Sequence, residues 1–303
     1  MEPLRQSPLI LLKNKAILQD LQDVVCGVEE TLECILSSSP SRLHEAMRYS
    51  VLGGGKRLRS YLTWASSQLF HVPPQEVLRT AAAIELIQSY SLIHDDLPCM
   101  DNADIRRGKP SCHKCFGEAT AILVGDALIP LAFQTLAALD VSSKLRLDLI
   151  DGLAQAIGSL GLVAGQMMDL GQEGFHHTLE ALLEQQRLKT GVLFGFAAEA
   201  GAILGGASIE ERQTLKSYGL LFGKAFQMKD DWLDACGNEQ IIGKPCHQDT
   251  NKFTFLNFLS PELLEKTVAS TLQEAIGTLS SFGKRGALLK EFAIFSLCEE
   301  QMD

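Results

Sequence analysis

The chain has 303 residues, of which 46% are hydrophobic and 21% charged. That balance excludes wholesale disorder, and the length gives one large or two ordinary domains with room for a sizeable core. Lys and Arg number 27 against 37 Asp and Glu, so the formal charge is −10, which argues against nucleic-acid binding by bulk electrostatics and leaves any anionic ligand to a local basic cluster or to metal ions.

Helical periodicity runs almost throughout. Ala16–Leu36 repeats apolar residues at helical spacing and stops at Ser37-Ser38-Ser39-Pro40. Leu43–Leu52 follows and ends at Gly53-Gly54-Gly55, and Arg57 to Phe70 forms the next run. Gln75–Leu97 is a long helix ending at Pro98, and the polar segment Asn102–Ser111 reads as a loop. Glu118–Leu139, Lys144–Leu170, Leu179–Gly205 and Ile209–Cys236 continue the pattern. Gly237–Thr254 is polar and irregular, a candidate flap, before terminal helices at Pro261–Phe282 and Lys284–Gln301. With no alternating strands and no linker, the expectation is one all-α domain over residues 1–303.

No apolar stretch reaches the roughly 18 uninterrupted residues of a membrane span. The nearest, Ala119–Phe133 and Gly191–Ala207, are interrupted by Asp126 and Glu199. Leu9–Leu12 is too short, and too soon followed by Lys13 and Lys15, for a signal peptide. Eight cysteines scattered through such a chain argue for free thiols, so a cytoplasmic protein without an integral membrane segment is expected. Cys112-His113-Lys114-Cys115 has metal-ligand spacing, but zinc needs two more ligands, for which Cys246-His247 is the visible candidate.

Two carboxylate clusters carry the chemistry: Asp95-Asp96-Leu97-Pro98-Cys99-Met100-Asp101, and Asp230-Asp231-Trp232-Leu233-Asp234. Gln227, Asp230, Asp231 and Asp234 share one helical stripe, as do Gln88, Ser91 and Asp95. Carboxylates in apolar helices need partners, and Mg2+ suits one or two carboxylates plus phosphate oxygens. A metal would also relieve the unfavourable placement of Asp95 and Asp96 at a helix C-terminus. Gly53-Gly54-Gly55-Lys56-Arg57-Leu58-Arg59 sets three cations where a helix begins, and Arg106-Arg107-Gly108-Lys109 follows the first aspartates. Acidic pairs, clustered cations and apolar helices together suggest diphosphate heads at a metal site and hydrocarbon tails in an apolar cavity.

These motifs, with Gly125-Asp126, Gly165-Gln166 to Asp169, and Lys189-Thr190-Gly191, resemble the trans-polyprenyl diphosphate synthases in the same order over residues 40 to 255. The spacing of Asp96 and Asp101 is similar to the bacterial farnesyl and plant-type geranylgeranyl branches. The resemblance implies antiparallel helices around a central cavity, a homodimer, and head-to-tail condensation of isopentenyl diphosphate with allylic diphosphates. It implies three Mg2+ ions with substrate bound, held by Asp95, Asp96 and Asp101 from one wall and by Asp230, with Asp231 and Asp234, from the other. Lys56, Arg57 and Arg107 would hold isopentenyl diphosphate, and Arg106, Lys189, Lys244 and Lys252 the allylic diphosphate. Thr190 and Gln227 would sit near the developing cation.

Tyr90 lies five residues before Asp95, about 7.5 Å along the axis and about 140° around it, with Ser91 nearer the aspartate stripe. An aromatic at that position resembles the floor of farnesyl-forming members, so a fifteen-carbon product is expected. The chain departs from the family at Gln88, where His is common and the lost charge could weaken isopentenyl diphosphate binding. It also has Ala103 in place of a carboxylate, Ser60 in place of Pro, and an acidic C-terminus. A terpene cyclase fits less well because both aspartate motifs and the Gly-Lys-Arg cluster are present, and a non-catalytic subunit fits less well because neither motif is lost.

Overall fold

The computed structural model describes residues 8–36, 40–171, 178–236 and 253–298. The helices, in order, are α1 (Pro8–Ile35), α2 (Arg42–Val51), α3 (Leu58–Ser67), α4 (Pro74–Asp95), α5 (Cys112–Phe116), α6 (Glu118–Ala137) and α7 (Ser143–Ile157). They continue with α8 (Leu162–Asp169), α9 (Leu179–Gln186), α10 (Val192–Leu204), α11 (Ile209–Cys236), α12 (Pro261–Thr278) and α13 (Ala287–Cys298). The all-α expectation holds, with one local exception. Within the expected loop, β1 (Ile105–Arg106) pairs antiparallel with β2 (Lys109–Pro110). Arg107 and Gly108 at its tip both have positive φ, 53° and 71°, the backbone of a two-residue type I′ turn.

The bundle is organised on α10. Every residue from Leu193 to Leu204 is buried, and this helix packs against α3, α4, α7 and α11. An apolar helix enclosed on all sides needs no polar face, which explains its Ala- and Gly-rich sequence. Its neighbour α4 packs along α6, and α11 along α12. By length and composition α6 could cross a membrane, yet Val124, Leu128, Ala132 and Leu136 are fully buried, so it is built as a core helix.

Two expected continuous helices are broken. Lys144–Leu170 divides into α7 and α8 around Gly158–Gly161. Leu179–Gly205 divides into α9 and α10 across one π-helical turn, Arg187–Gly191. Such turns recur at functional sites because the extra residue re-aims nearby side chains. Here the turn carries Lys189 and Thr190, and Gly165 of α8 lies so close that a Cβ would collide with the Lys189 backbone.

Candidate active site

The C-terminal end of α4 carries the first aspartates, and the chain wraps back over it. The Asp101 amide donates to the Asp95 carbonyl at 2.8 Å, Asn102 to Leu97 at 3.0 Å and Ala103 to Asp96 at 3.2 Å. These bonds satisfy the terminal carbonyls of the helix and hold Asp101 beside Asp95. Asp95 is buried, and its carboxyl is pushed up to about 6. Burial is the main cause; the Lys189 charge opposes it, while Asp101 and Asp169 add to it.

Lys189 balances this cluster. Its Nζ lies 2.5 Å from Asp169 Oδ2 and 3.9 Å from Asp95 Oδ2, and Gln185 Nε2 donates to Asp169 Oδ1 at 2.5 Å. Asp169 and Gln185 have no role in the expectations from sequence, although Asp169 closes the Gly165-Gln166 motif. Gln166 lies one position past the glycine that meets Lys189, with both polar ends of its amide buried and without a hydrogen-bond partner.

Asp96 occupies a different place from the one expected. It is one residue round the helix from Asp95 and only 1% exposed, and Arg106 of the hairpin holds both of its oxygens. Arg106 Nη2 donates to Oδ1 at 2.5 Å, and Nε reaches Oδ1 at 3.1 Å and Oδ2 at 3.2 Å. A buried carboxylate held in this bidentate way anchors the hairpin rather than offering oxygens to an ion.

The basic cluster also sorts itself. Arg57 precedes α3 in left-handed backbone (φ 46°) and is buried. It donates to Glu29 through Nε at 2.8 Å, to Glu85 through Nη1 at 2.8 Å, and to the Val51 carbonyl at 2.6 Å. Its place is therefore structural, a correction to its expected contact with isopentenyl diphosphate. Arg59 is the residue that the sequence reading missed. Its Nε is buried without a hydrogen-bond partner, and its guanidinium carbon sits 3.9 Å from the centre of the Phe194 ring. Burial pushes it down to about 10; Glu85 and Asp230 oppose the shift and Arg107 adds to it. Glu85, a lone carboxylate in an apolar stretch of α4, signals a buried cation partner, but sequence spacing cannot tell which of Arg57 and Arg59 that partner is.

Arg107, in the strained turn, packs over Gly55, where a Cβ would lie 3.1 Å from its guanidinium. The Gly53–Gly55 run thus cradles a cation. Lys56 is exposed beside it, and Gln88 is half-buried on α4.

The second wall is α11. Asp230 is exposed and close enough for its charge to act on Arg59. Asp231 is 4% exposed and engaged elsewhere: Oδ1 accepts from Gln227 Nε2 at 3.0 Å and Oδ2 from the Phe255 amide at 3.0 Å. It clips the chain at Phe255 to α11. Thr190 Oγ1 donates to Gln227 Oε1 at 3.3 Å, so the π-turn and α11 are joined through Gln227. Asp234 is half-buried one turn beyond Asp230. Lys244 and Lys252, with the candidate flap and Cys246-His247, lie outside the described residues.

Among the described residues, no three acidic, His or Cys side chains converge tightly enough to hold an ion unaided. Asp95, Asp101, Asp169 and Asp230 nevertheless offer the hard oxygen donors that Mg2+ takes, and Asp101 and Asp169 both add to the upward push that burial gives Asp95. Such a set suits a metal that completes its coordination with substrate phosphates.

Tyr90 is buried, edge-on to His94 with ring centres 5.6 Å apart, and Ser91 beside it is buried too. His94 lies 3.1 Å from the Ile122 carbonyl and over Gly125, where a Cβ would overlap its ring. The pair forms an aromatic wall between α4 and α6. Burial and the Asp95 charge both push the Tyr90 hydroxyl up, so the ring lies within electrostatic reach of the aspartates.

Comparison with known proteins is consistent with this arrangement. The polyprenyl synthetase family model matches residues 40–290. The chain is 43% identical to farnesyl diphosphate synthase of Geobacillus stearothermophilus over 255 residues, covering 82% of this chain and 86% of that protein. It is 39% identical to geranylgeranyl pyrophosphate synthase 4 of Arabidopsis thaliana, covering 82% and 68%. The apo crystal structure of an FPP/GFPP synthase from Zymomonas mobilis aligns with a TM-score of 0.84 at 40% identity, covering 92% of this chain and 98% of that one.

Proposed function

We propose, from the premise that the chain belongs to the polyprenyl synthetase family and is a short-chain prenyl diphosphate synthase, that it condenses isopentenyl diphosphate with dimethylallyl and geranyl diphosphates and stops at farnesyl diphosphate. The observation that carries the stopping point is Tyr90, a buried aromatic on α4 behind Asp95, braced by His94 against α6. A tail growing away from Asp95 ends against that ring.

Asp95 and Asp101 from one wall and Asp230, with Asp234, from the other would hold Mg2+, which when bound supplies charge neutralisation of the diphosphate leaving group. Lys189 and the free edge of Arg106 hold the allylic diphosphate, with Lys244 and Lys252 as its further proposed ligands. Arg59, Lys56, Arg107 and Gln88 hold isopentenyl diphosphate. Arg59 is suited to this because its unpaired Nε already lacks an acceptor. Gln88 contributes a hydrogen bond without charge. Thr190 donates its proton to Gln227, leaving the hydroxyl lone pairs to face positive charge as it develops on the allylic carbon. The apolar wall excludes water that would quench that charge.

The same reading makes the protein a cytoplasmic homodimer. Ile122 and Leu123 of α6 and Val163 and Met167 of α8 are exposed at 43 to 57%, apolar side chains that a second copy would cover.

The test is Tyr90→Ala. The variant should release twenty-carbon or longer products while retaining condensation, read as prenyl alcohols after phosphatase treatment. An unchanged product would remove Tyr90 as the floor.

A further inference from the structure

We propose that Cys112 and Cys115 form a reversible dithiol–disulfide modification site, closed by hydroperoxides, at the base of the hairpin that holds Arg106 on Asp96. Both are free thiols on the short helix α5. Helix geometry at i, i+3 puts their Cα atoms about 5 Å apart, inside the window that a disulfide requires. Among the described residues Cys26 and Cys99 are also free thiols, and neither has a cysteine partner at such spacing. Cys26 and Cys34 lie about 12 Å apart along α1.

The two thiols differ in access and in partners. Cys115 is exposed, whereas Cys112 is 4% exposed. Cys115 Sγ donates to the Tyr49 hydroxyl at 3.2 Å, and that hydroxyl donates to the Pro110 carbonyl at 2.7 Å. Cys112 lines a small cavity with Ser50, Ser89, Asp96, Arg106 and Arg107. The exposed sulfur is therefore linked to strand β2 through Tyr49, and the buried Cys112 shares a cavity with Asp96 and Arg106. Among the described residues no third ligand joins the two thiols.

The chemistry balances with the hydroperoxide as oxidant. The Cys115 thiolate attacks the peroxide oxygen, the O–O bond breaks, and Cys115 becomes a sulfenic acid as water or an alcohol leaves. The Cys112 sulfur then attacks the Cys115 sulfur and expels hydroxide, which leaves as water with the Cys112 proton. The dithiol loses two electrons and the peroxide gains them. A small dithiol reductant reverses the step. Closure removes the Cys115 bond to Tyr49, loosening the tie between Tyr49 and Pro110 and with it the hairpin.

The experiment treats the full-length protein with hydrogen peroxide, blocks residual thiols, and maps cysteine peptides by mass. The expected result is a peptide holding Cys112 and Cys115 that is lighter by two hydrogens and restored by dithiothreitol. Cys112→Ser should leave a sulfenic acid at Cys115 that dimedone traps, and Cys115→Ser should leave Cys112 a thiol. Amide exchange over residues 104–111 should quicken several-fold on oxidation, and not in Cys115→Ser. Over-oxidation of Cys115 while Cys112 stays alkylatable, pairing of either with another cysteine, or unchanged exchange in the oxidised hairpin would overturn the proposal. None of these readouts depends on the enzyme's product.

Discussion

The two aspartate-rich stretches look alike in sequence and are built differently. Around Asp95 the two adjacent carboxylates, Asp95 and Asp96, are buried and already faced by cations, while Asp101 is exposed: Lys189 lies between Asp95 and Asp169, and Arg106 pins Asp96. On α11 the first aspartate, Asp230, is exposed, while Asp231 is spent on clipping Phe255. One wall is assembled and strained by its own charge; the other is open and anchors the chain that returns from the flap. In each pair of adjacent aspartates one carboxylate faces the site and its neighbour holds structure, a division that the motif alone does not display.

The largest expected effect divides the walls by stability. Asp95→Asn and Asp230→Asn should each lower kcat by about 10²–10⁴-fold. They should differ in folding. The Asp95 carboxyl, raised to about 6, lies above its unfolded value, so its contribution to stability is present below about pH 4 and lost as pH rises through 6. Asp95→Asn removes that loss and should stabilise the metal-free protein at pH 7–8 by ~1–3 kcal/mol in urea unfolding. Asp230→Asn should leave stability unchanged. If both variants unfold alike, the contrast between the walls fails.

Next come the two arginines flanking Leu58. Arg57→Met breaks a buried pair with Glu85 and should cost about 3–5 kcal/mol of stability. Arg59→Met should leave a folded protein whose KM for isopentenyl diphosphate rises about 10-fold or more, since a charge-assisted bond is worth roughly 1.5–3 kcal/mol. Steady-state kinetics beside thermal melts separate the two, and a raised KM in a well-folded Arg57 variant would reverse the assignment.

A smaller effect belongs to Asp231→Ala. Leaving the buried Phe255 amide unpaired should cost about 1–3 kcal/mol, with a milder loss of kcat than Asp230→Asn shows. An equal loss of kcat in both would place Asp231 back among the ligands.

Much of this was legible in the sequence. Helical periodicity marks nearly every element, α10 included, although the burial of that helix on all sides, Glu199 with it, shows only in the structure. The break within 179–205 was not legible: the π-turn, which ends at Gly191, keeps the run helical and changes only the backbone pairing, beside the close approach of Gly165 to Lys189. The hairpin was missed because its strands have two residues each, too short for alternation, and its Arg-Gly turn lacks the usual Asn-Gly signal. Composition and spacing found the aspartates and cations but not their facing. Asp95 and Asp96 differ by about 100° of helix rotation, enough to send one carboxylate into the cluster and the other to Arg106. Arg57 and Arg59 straddle a helix start and both turn inward, Arg57 onto Glu85 and Arg59 over Phe194, a difference of partner that spacing does not show.

The most direct test gives the purified wild-type protein Mg2+, isopentenyl diphosphate and, separately, dimethylallyl, geranyl or farnesyl diphosphate, and identifies the released alcohols after phosphatase treatment. The account predicts farnesol from the first two starters and no extension of the third. Geranylgeraniol as the main product, or extension of farnesyl diphosphate, would contradict it.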